Sequence, residues 1–161
     1  MQVYLDSSMI VKRYIQEEGT SFADFIYEQA NQGYLTITYN LLNIGEVLGV
    51  FDQYLNRKWI TKDSFDVLIA KFIDEMLRLL RLDRLIIIPT HSTLQMEAWP
   101  FILENRLYIA DALQLTSALY VNTRLFVSGD KELNTVAQKS NLEIYLPTKE
   151  KEIIQMIRKQ R

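Results

Sequence analysis

The chain has 161 residues, 48% of them hydrophobic and 24% charged, with a formal net charge of −2; this is ordinary globular usage, sufficient for one domain spanning 1–161 with a real core. The absence of cysteine excludes disulfides, thiolate zinc sites and cysteine nucleophiles, and the single histidine, His91, excludes a multi-histidine metal site. No apolar run reaches the ~18 residues of a membrane span, Asp6 and Lys12-Arg13 break any leader-like start, and no basic tail advertises a polyanion partner, so the expectation is a cytoplasmic protein with no membrane contact.

Short runs rich in branched residues predict strands at 2–5, 35–38, 85–88, 125–127 and 143–145. Helical patterns separate them, at 8–16, 20–31, 40–57, 62–82, 92–104, 108–122, 131–139 and 149–159. Strands alternating with helices indicate an α/β fold with a central parallel sheet of five strands flanked by helices. The prolines Pro89, Pro100 and Pro147 are expected at element ends.

Taken in chain order, the first strand ends on Asp6, which opens Asp6-Ser7-Ser8. Asp6 is either the N-cap of the next helix or a ligand-binding carboxylate at the end of a central parallel strand. In the helix at 40–57, Leu41, Ile44, Leu48 and Phe51 form one stripe while Leu42, Val47 and Val50 lie off it, so burial on most sides is expected. Glu46 is the only charge from Asn40 to Phe51 and is either paired with an arginine from elsewhere or part of a site. Gly45 and Gly49 read equally as close helix packing or as clearance beside Glu46.

In the helix at 62–82, Phe65, Leu68, Ile69, Phe72, Met76, Leu79 and Leu80 share one face, a core face first and a dimer surface second. His91 follows Pro89-Thr90 and reads as a helix-start residue with no further role. Asp111 is the only charge between Leu107 and Asn122; it sits near a helix N-terminus, where the dipole favours it, yet on an apolar flank. Asp130 lies in Val127-Ser128-Gly129-Asp130-Lys131, a strand, a turn and a helix start, where a plain N-cap is the simplest reading.

Jointly the four carboxylates say more than each does alone. An ionised carboxylate in apolar surroundings is costly unless it is paired or binds metal. Oxygen ligands without histidine or cysteine suit Mg²⁺ or Mn²⁺, one ion or two, and such a site can activate water for in-line attack on a phosphodiester.

The four segments resemble the PIN-domain ribonucleases. Val3-Tyr-Leu-Asp-Ser-Ser resembles the family's opening strand and Asp-x-Asn/Ser motif, and Glu46 its helical glutamate. Tyr108-Ile-Ala-Asp-Ala-Leu is similar to the third acidic motif, and Phe126-Val-Ser-Gly-Asp-Lys to the fourth. The resemblance spans almost the whole chain in the family's order. It implies a compact α/β sandwich and metal-dependent endoribonuclease activity. By the same resemblance Asp6, Glu46, Asp111 and Asp130 carry metal binding and water activation, Asp6 and Asp111 as direct ligands, with Ser8 and Ser128 steadying the site. Many small members are toxins of VapBC-type toxin–antitoxin pairs, which implies an RNA substrate, a small antitoxin partner and a homodimer. The chain is longer than the compact toxins around 65–84, which leaves the dimer geometry open. An RNA-processing nuclease and a non-catalytic RNA- or antitoxin-binding module are the alternatives.

Two phosphoaspartate folds fit less well. A haloacid dehalogenase-like enzyme needs a second aspartate where Ser8 stands, and a receiver domain needs an aspartate ending a middle strand, where Tyr39-Asn40 follow 35–38. Lys12, Arg13, Lys131 and the tail 158–161 either meet phosphates or are solvated surface charge, the second being the simpler reading.

Overall fold

A computed structural model describes residues 1–159. The elements follow the chain as β1 (Gln2–Leu5), α1 (Ser7–Val11), α2 (Thr20–Asn31), β2 (Thr36–Asn40), α3 (Leu41–Asn56), α4 (Lys62–Arg81), β3 (Leu85–Ile88), α5 (Ser92–Asn105), α6 (Ile109–Tyr120), β4 (Leu125–Val127), α7 (Lys131–Lys139) and β5 (Glu143–Ile144). A 3₁₀ turn (Pro147–Lys149) then leads into α8 (Glu150–Arg158).

The five strands form one sheet in the order β3-β2-β1-β4-β5, with every pairing parallel. The chain builds outward from β1 through β2 to β3, then crosses back to β4 and β5. The direction of winding therefore reverses between β1 and β4, and the crevice beyond their carboxyl ends is the place where open α/β sheets bind ligands. β1 is buried on both faces, Val3, Tyr4 and Leu5 being sealed from solvent, as a central parallel strand should be. Tyr4 stacks on Phe126 of β4 with centroids 5.3 Å apart, which ties the two strands that frame the crevice.

Several expectations are corrected. β2 runs two residues further than 35–38, because Tyr39 and Asn40 pair with Ile87 and Ile88 of β3. The helix expected at 8–16 ends at Val11 and gives way to turns, where Lys12 donates to the Glu18 carbonyl at 2.7 Å and Arg13 reaches Glu75. Pro100 lies inside α5 rather than at an element end. It lacks the N–H that would bond the Met96 carbonyl, and Met96 is exposed enough for water to serve instead.

On α3 the fully buried residues are Asn43, Val47 and Phe51; of the expected stripe Phe51 is sealed, Ile44 and Leu48 are partly buried, and only Leu41, 53% exposed, faces away. The helix is thus amphipathic, with a polar residue, Asn43, at the centre of its buried face. Close packing is not the reason for Gly45 and Gly49, since a Cβ at either would meet no packed neighbour within 4 Å. The long α4 does turn its Phe72 and Leu79 into the core, with Phe65, Leu68, Ile69, Met76 and Leu80 partly buried against it.

The α4 face also buries Glu75, which the apolar pattern concealed. Arg13 clamps it through two hydrogen bonds of 2.9 Å, Arg78 adds one at 2.7 Å and the Tyr14 hydroxyl one at 3.1 Å. Burial opposes ionisation of Glu75, but these donors outweigh it and hold the carboxyl below its usual range. Arg13 further donates to Asp24 at 2.7 Å, so it is committed to the fold rather than to a phosphate. His91 caps α5, its Nδ1 accepting from the Leu94 N–H at 3.2 Å. Among the described residues no helix is long and apolar enough to cross a membrane. Of the proposed cationic tail, residues 160 and 161 lie outside the described residues, and Arg158 rests over the Phe25 ring.

Candidate active site

Asp6 stands immediately beyond β1, held there by its own N–H, which donates to the Val127 carbonyl at the end of β4 at 3.0 Å. The side chain is 5% exposed. Its Oδ1 accepts from the Met9 N–H at 3.0 Å, capping α1, and from the Ser8 hydroxyl at 2.6 Å. Its Oδ2 accepts from the Ser128 hydroxyl. Capping and site roles therefore coexist in one carboxylate. Burial raises the Asp6 pKa and these hydrogen bonds only partly offset it.

Ser8 and Ser128 do more than touch Asp6. Ser8 Oγ accepts from the Gly129 N–H at 3.0 Å, and Ser128 Oγ accepts from the Asp130 N–H at 2.9 Å. A Cβ at Gly129 would approach Ser8 Oγ to 3.0 Å, so glycine permits this close turn. The 128–130 turn is thus stitched to Asp6 from both sides. Asp130 caps α7 through Oδ1, which accepts from the N–H groups of Glu132 at 2.7 Å and Leu133 at 2.9 Å.

Glu46 is fixed from α3 by neighbours that sequence reading did not single out. The Ser7 hydroxyl donates to Glu46 Oε2, and Gln114 Nε2 donates to the same oxygen at 3.2 Å. Asn43 Nδ2 in turn donates to Ser7 Oγ at 2.8 Å and to Gln114 Oε1 at 2.7 Å. Asn43 Oδ1 accepts from the Tyr4 hydroxyl at 2.9 Å and the Asn40 N–H at 2.8 Å, anchoring the array to the floor of the sheet. Asn43 is fully buried, and its place three residues before Glu46, on the face that carries Val47, is the signal that reveals this role. Among the described residues no arginine pairs with Glu46. Burial raises its pKa, Ser7 lowers it, and Asp6 raises it again.

Asp111 projects from the first turn of α6 and is half-buried. Its pKa is pushed up to about 6, by burial first and then by the charges of Asp130, Glu46 and Asp6. One carboxylate thus feels the other three, so folding brings all four into electrostatic reach at the β1–β4 crevice. Among the described residues no lysine or arginine forms an ion pair with any of them. Nor are any three acidic or histidine side chains already gathered around one point. Each oxygen that has a partner faces a serine, an amide or a helix N-terminus instead. The donor set still fits a hard divalent cation: carboxylate oxygens, with no nitrogen or sulfur ligand among them.

The PIN domain family model matches residues 3–139, a span that begins in β1 and ends with α7. The chain belongs to the PIN domain family. No curated protein matches the sequence. Among solved structures, FitAcB from Neisseria gonorrhoeae is similar with a TM-score of 0.64 at 12% identity, covering 91% of this chain and 98% of that one. The sarcin–ricin loop-cleaving toxin VapC20 of Mycobacterium tuberculosis is similar with a TM-score of 0.60, also at 12% identity, covering 83% of this chain and 94% of that one. At such identity the shared property is the fold.

Proposed function

We propose that this PIN domain is a metal-dependent endoribonuclease, with Asp6, Glu46, Asp111 and Asp130 holding Mg²⁺ or Mn²⁺. The observation that carries the reading is Asp111, whose pKa is raised by burial and by three like charges, with no lysine or arginine among the described residues in an ion pair with any of the four. When bound, the ion polarises the scissile phosphate and makes water a nucleophile near neutral pH. Asp6 and Asp111 are proposed as the direct ligands, on the likeness to the PIN family. Ser8 and Ser128 hold Asp6 in one rotamer, which keeps its ligand geometry fixed before substrate arrives. Ser7 and Gln114 do the same for Glu46.

RNA is the proposed substrate, supported by family membership and by the activity stated for the M. tuberculosis neighbour. The toxin role, with a small antitoxin as partner, is proposed on the same likeness, and homodimer formation with it. Exposed apolar side chains on α5 support an assembly: Met96, Trp99 and Leu103 recur along one face and are 49%, 55% and 80% exposed. The test is cleavage of single-stranded RNA by purified protein with Mg²⁺ or Mn²⁺ and with EDTA. Metal-dependent cleavage that Asp6→Asn and Asp111→Asn abolish without unfolding is expected. Equal cleavage by parent and variants would remove the assignment.

A further inference from the structure

Glu46 and Asp111 stand on different helices, and nothing in their own charge holds them together, since two carboxylates that face one another repel. Their separation is set from outside the pair. Backbone packing does not set it: α3 rests mainly on α1 and α4, and α6 on α5 and β2, and the two backbones approach one another at few points.

What joins α3 to α6 is polar and runs in steps of one helical turn. Asn40, the N-cap of α3, donates from Nδ2 to Ser117 Oγ on α6 at 2.8 Å. Asn43 donates from Nδ2 to Gln114 Oε1 at 2.7 Å. Each step advances three residues along α3 and retreats three along α6, and side chains three apart are neighbours on a helix surface. The next step of the same series is Glu46 and Asp111. The Asp111 carboxyl, raised first by burial and by Asp130, also feels the charge of Glu46. The acidic pair is thus the outer rung of a ladder whose inner rungs are neutral, hydrogen-bonded and buried.

The innermost rung is satisfied at both ends. Asn40 Oδ1 accepts from the Leu42 N–H at 2.8 Å and from the Thr90 hydroxyl at 2.5 Å, and the Asn40 N–H donates to Asn43 Oδ1 at 2.8 Å. Ser117 Oγ donates in turn to the Leu113 carbonyl at 2.6 Å, one turn nearer Asp111. Capping α3 does not call for this arrangement, because serine, threonine or aspartate caps a helix as well. Asparagine adds an N–H donor to the capping oxygen, and that donor is the group that reaches α6. A fully satisfied buried network fixes one arrangement, where an apolar contact lets helices slide.

We propose that Asn40 and Ser117 are positioning residues for the acidic pair: their hydrogen bond sets the register of α3 against α6, and so the distance at which Glu46 and Asp111 close on one divalent cation. This rests on the metal-dependent nuclease reading and extends the site to residues that touch neither the cation nor the RNA.

The test is Mn²⁺ binding to the full chain without RNA, read from the free-ion signal in electron paramagnetic resonance, with thermal melts in EDTA alongside. Ser117→Ala removes one buried hydroxyl and leaves the Asn40 cap in place. It should raise the Mn²⁺ dissociation constant about tenfold, the usual scale for losing a group that orients ligands. Thr116→Val is the control: it removes a buried hydroxyl from the same helix, one that donates to the Ala112 carbonyl at 2.7 Å and reaches no other element among the described residues. It should melt close to Ser117→Ala and bind Mn²⁺ as the parent does. Asn40→Ser keeps a capping oxygen but is too short to reach Ser117, so it should match Ser117→Ala, and the double variant should be no weaker than either single. Parent-like affinity in Ser117→Ala, an equal loss in Thr116→Val, or additive losses in the double variant overturns the positioning role. A parent that binds no Mn²⁺ overturns the metal reading and the positioning role with it, so the parent alone tells the two failures apart.

Discussion

The Ser128 hydroxyl donates to Asp6 Oδ2 from the end of the neighbouring strand, so the ends of β4 and β1 are joined through the buried carboxylate itself. Asp6 accepts from Ser8, Ser128 and the Met9 N–H, and burial still raises its pKa. Removing one donor should raise it further and free its rotamer. Ser128→Ala is therefore expected to lower activity and metal affinity about ten- to hundredfold, the usual cost of losing a group that orients a ligand. A Mn²⁺ titration of RNA cleavage checks this; the half-saturating concentration should move up. An unchanged titration would show that Ser128 only shapes the turn.

Glu46 depends on an amide relay in the same way. Gln114 is held by Asn43 at 2.7 Å and passes that position on to Glu46 at 3.2 Å. Gln114→Leu should leave Glu46 held by Ser7 alone and reduce single-turnover cleavage about tenfold. Gln114→Glu places a like charge beside Glu46 and should raise its pKa, shifting the acid limb of the pH–rate profile upward. A Gln114→Glu profile that overlays the parent's would end the argument for a relay.

The pH dependence of the metal-free fold follows from Asp111. Its folded pKa, about 6, lies above the ordinary 3.8, so the native state holds the extra proton between these values. A raised folded pKa means that this contribution to stability is fully present below about 3.8 and is lost as pH rises through about 6. Asp111→Asn should therefore raise the melting temperature in EDTA by a few degrees at pH 7.5, with the gain fading toward pH 4.5. Solvent exposure of the half-buried side chain keeps the effect small. Thermal melts across this range measure it; a gain independent of pH would mean that charge is not the cause.

How far the sequence carried depended on which signal was local. Strands rich in branched residues and the 3.6-residue repeat of α4 gave the α/β architecture, because burial on two faces or on one stripe writes itself into the pattern. The acidic positions were visible because a lone charge in an apolar run is anomalous. Asn43, Ser7 and Gln114 were not, since an amide or hydroxyl in a helix looks unremarkable until its partners arrive from 36 and 71 positions away. Neither reading of Arg13, phosphate contact or solvated surface charge, shows the buried pair for the same reason: its partner Glu75 is 62 positions distant. Within the α3 stripe only Leu41 departs, because hydropathy ranks leucine above asparagine, whereas the sheet floor offers Asn43 hydrogen bonds and leaves Leu41 exposed.

Arg13 and Glu75 form a buried pair whose members cannot be removed singly without cost. Arg13→Met would strand a carboxylate that is 6% exposed, with only Arg78 and Tyr14 left to serve it. A loss of about 3 kcal/mol is expected in urea unfolding. The double variant Arg13→Met/Glu75→Met should recover much of that, because no uncompensated charge remains. Additive losses would contradict a coupled pair.

Gly45 and Gly49 carry the prediction with the opposite sign. Both lie within α3, where glycine destabilises a helix by about 0.5–1 kcal/mol relative to alanine. Neither has a neighbour within 4 Å of a would-be Cβ, so alanine adds no clash. Gly45→Ala and Gly49→Ala should each stabilise the isolated chain by about that amount in denaturant titrations, with RNA cleavage unchanged. Destabilisation would mean that the open face is occupied in solution, since only a close-packed surface makes an added methyl unfavourable. Sedimentation at several concentrations separates the cases. A variant that is more stable as a monomer but self-associates less places the interface on this face of α3, and one that is more stable with its association intact moves the interface to the apolar face of α5.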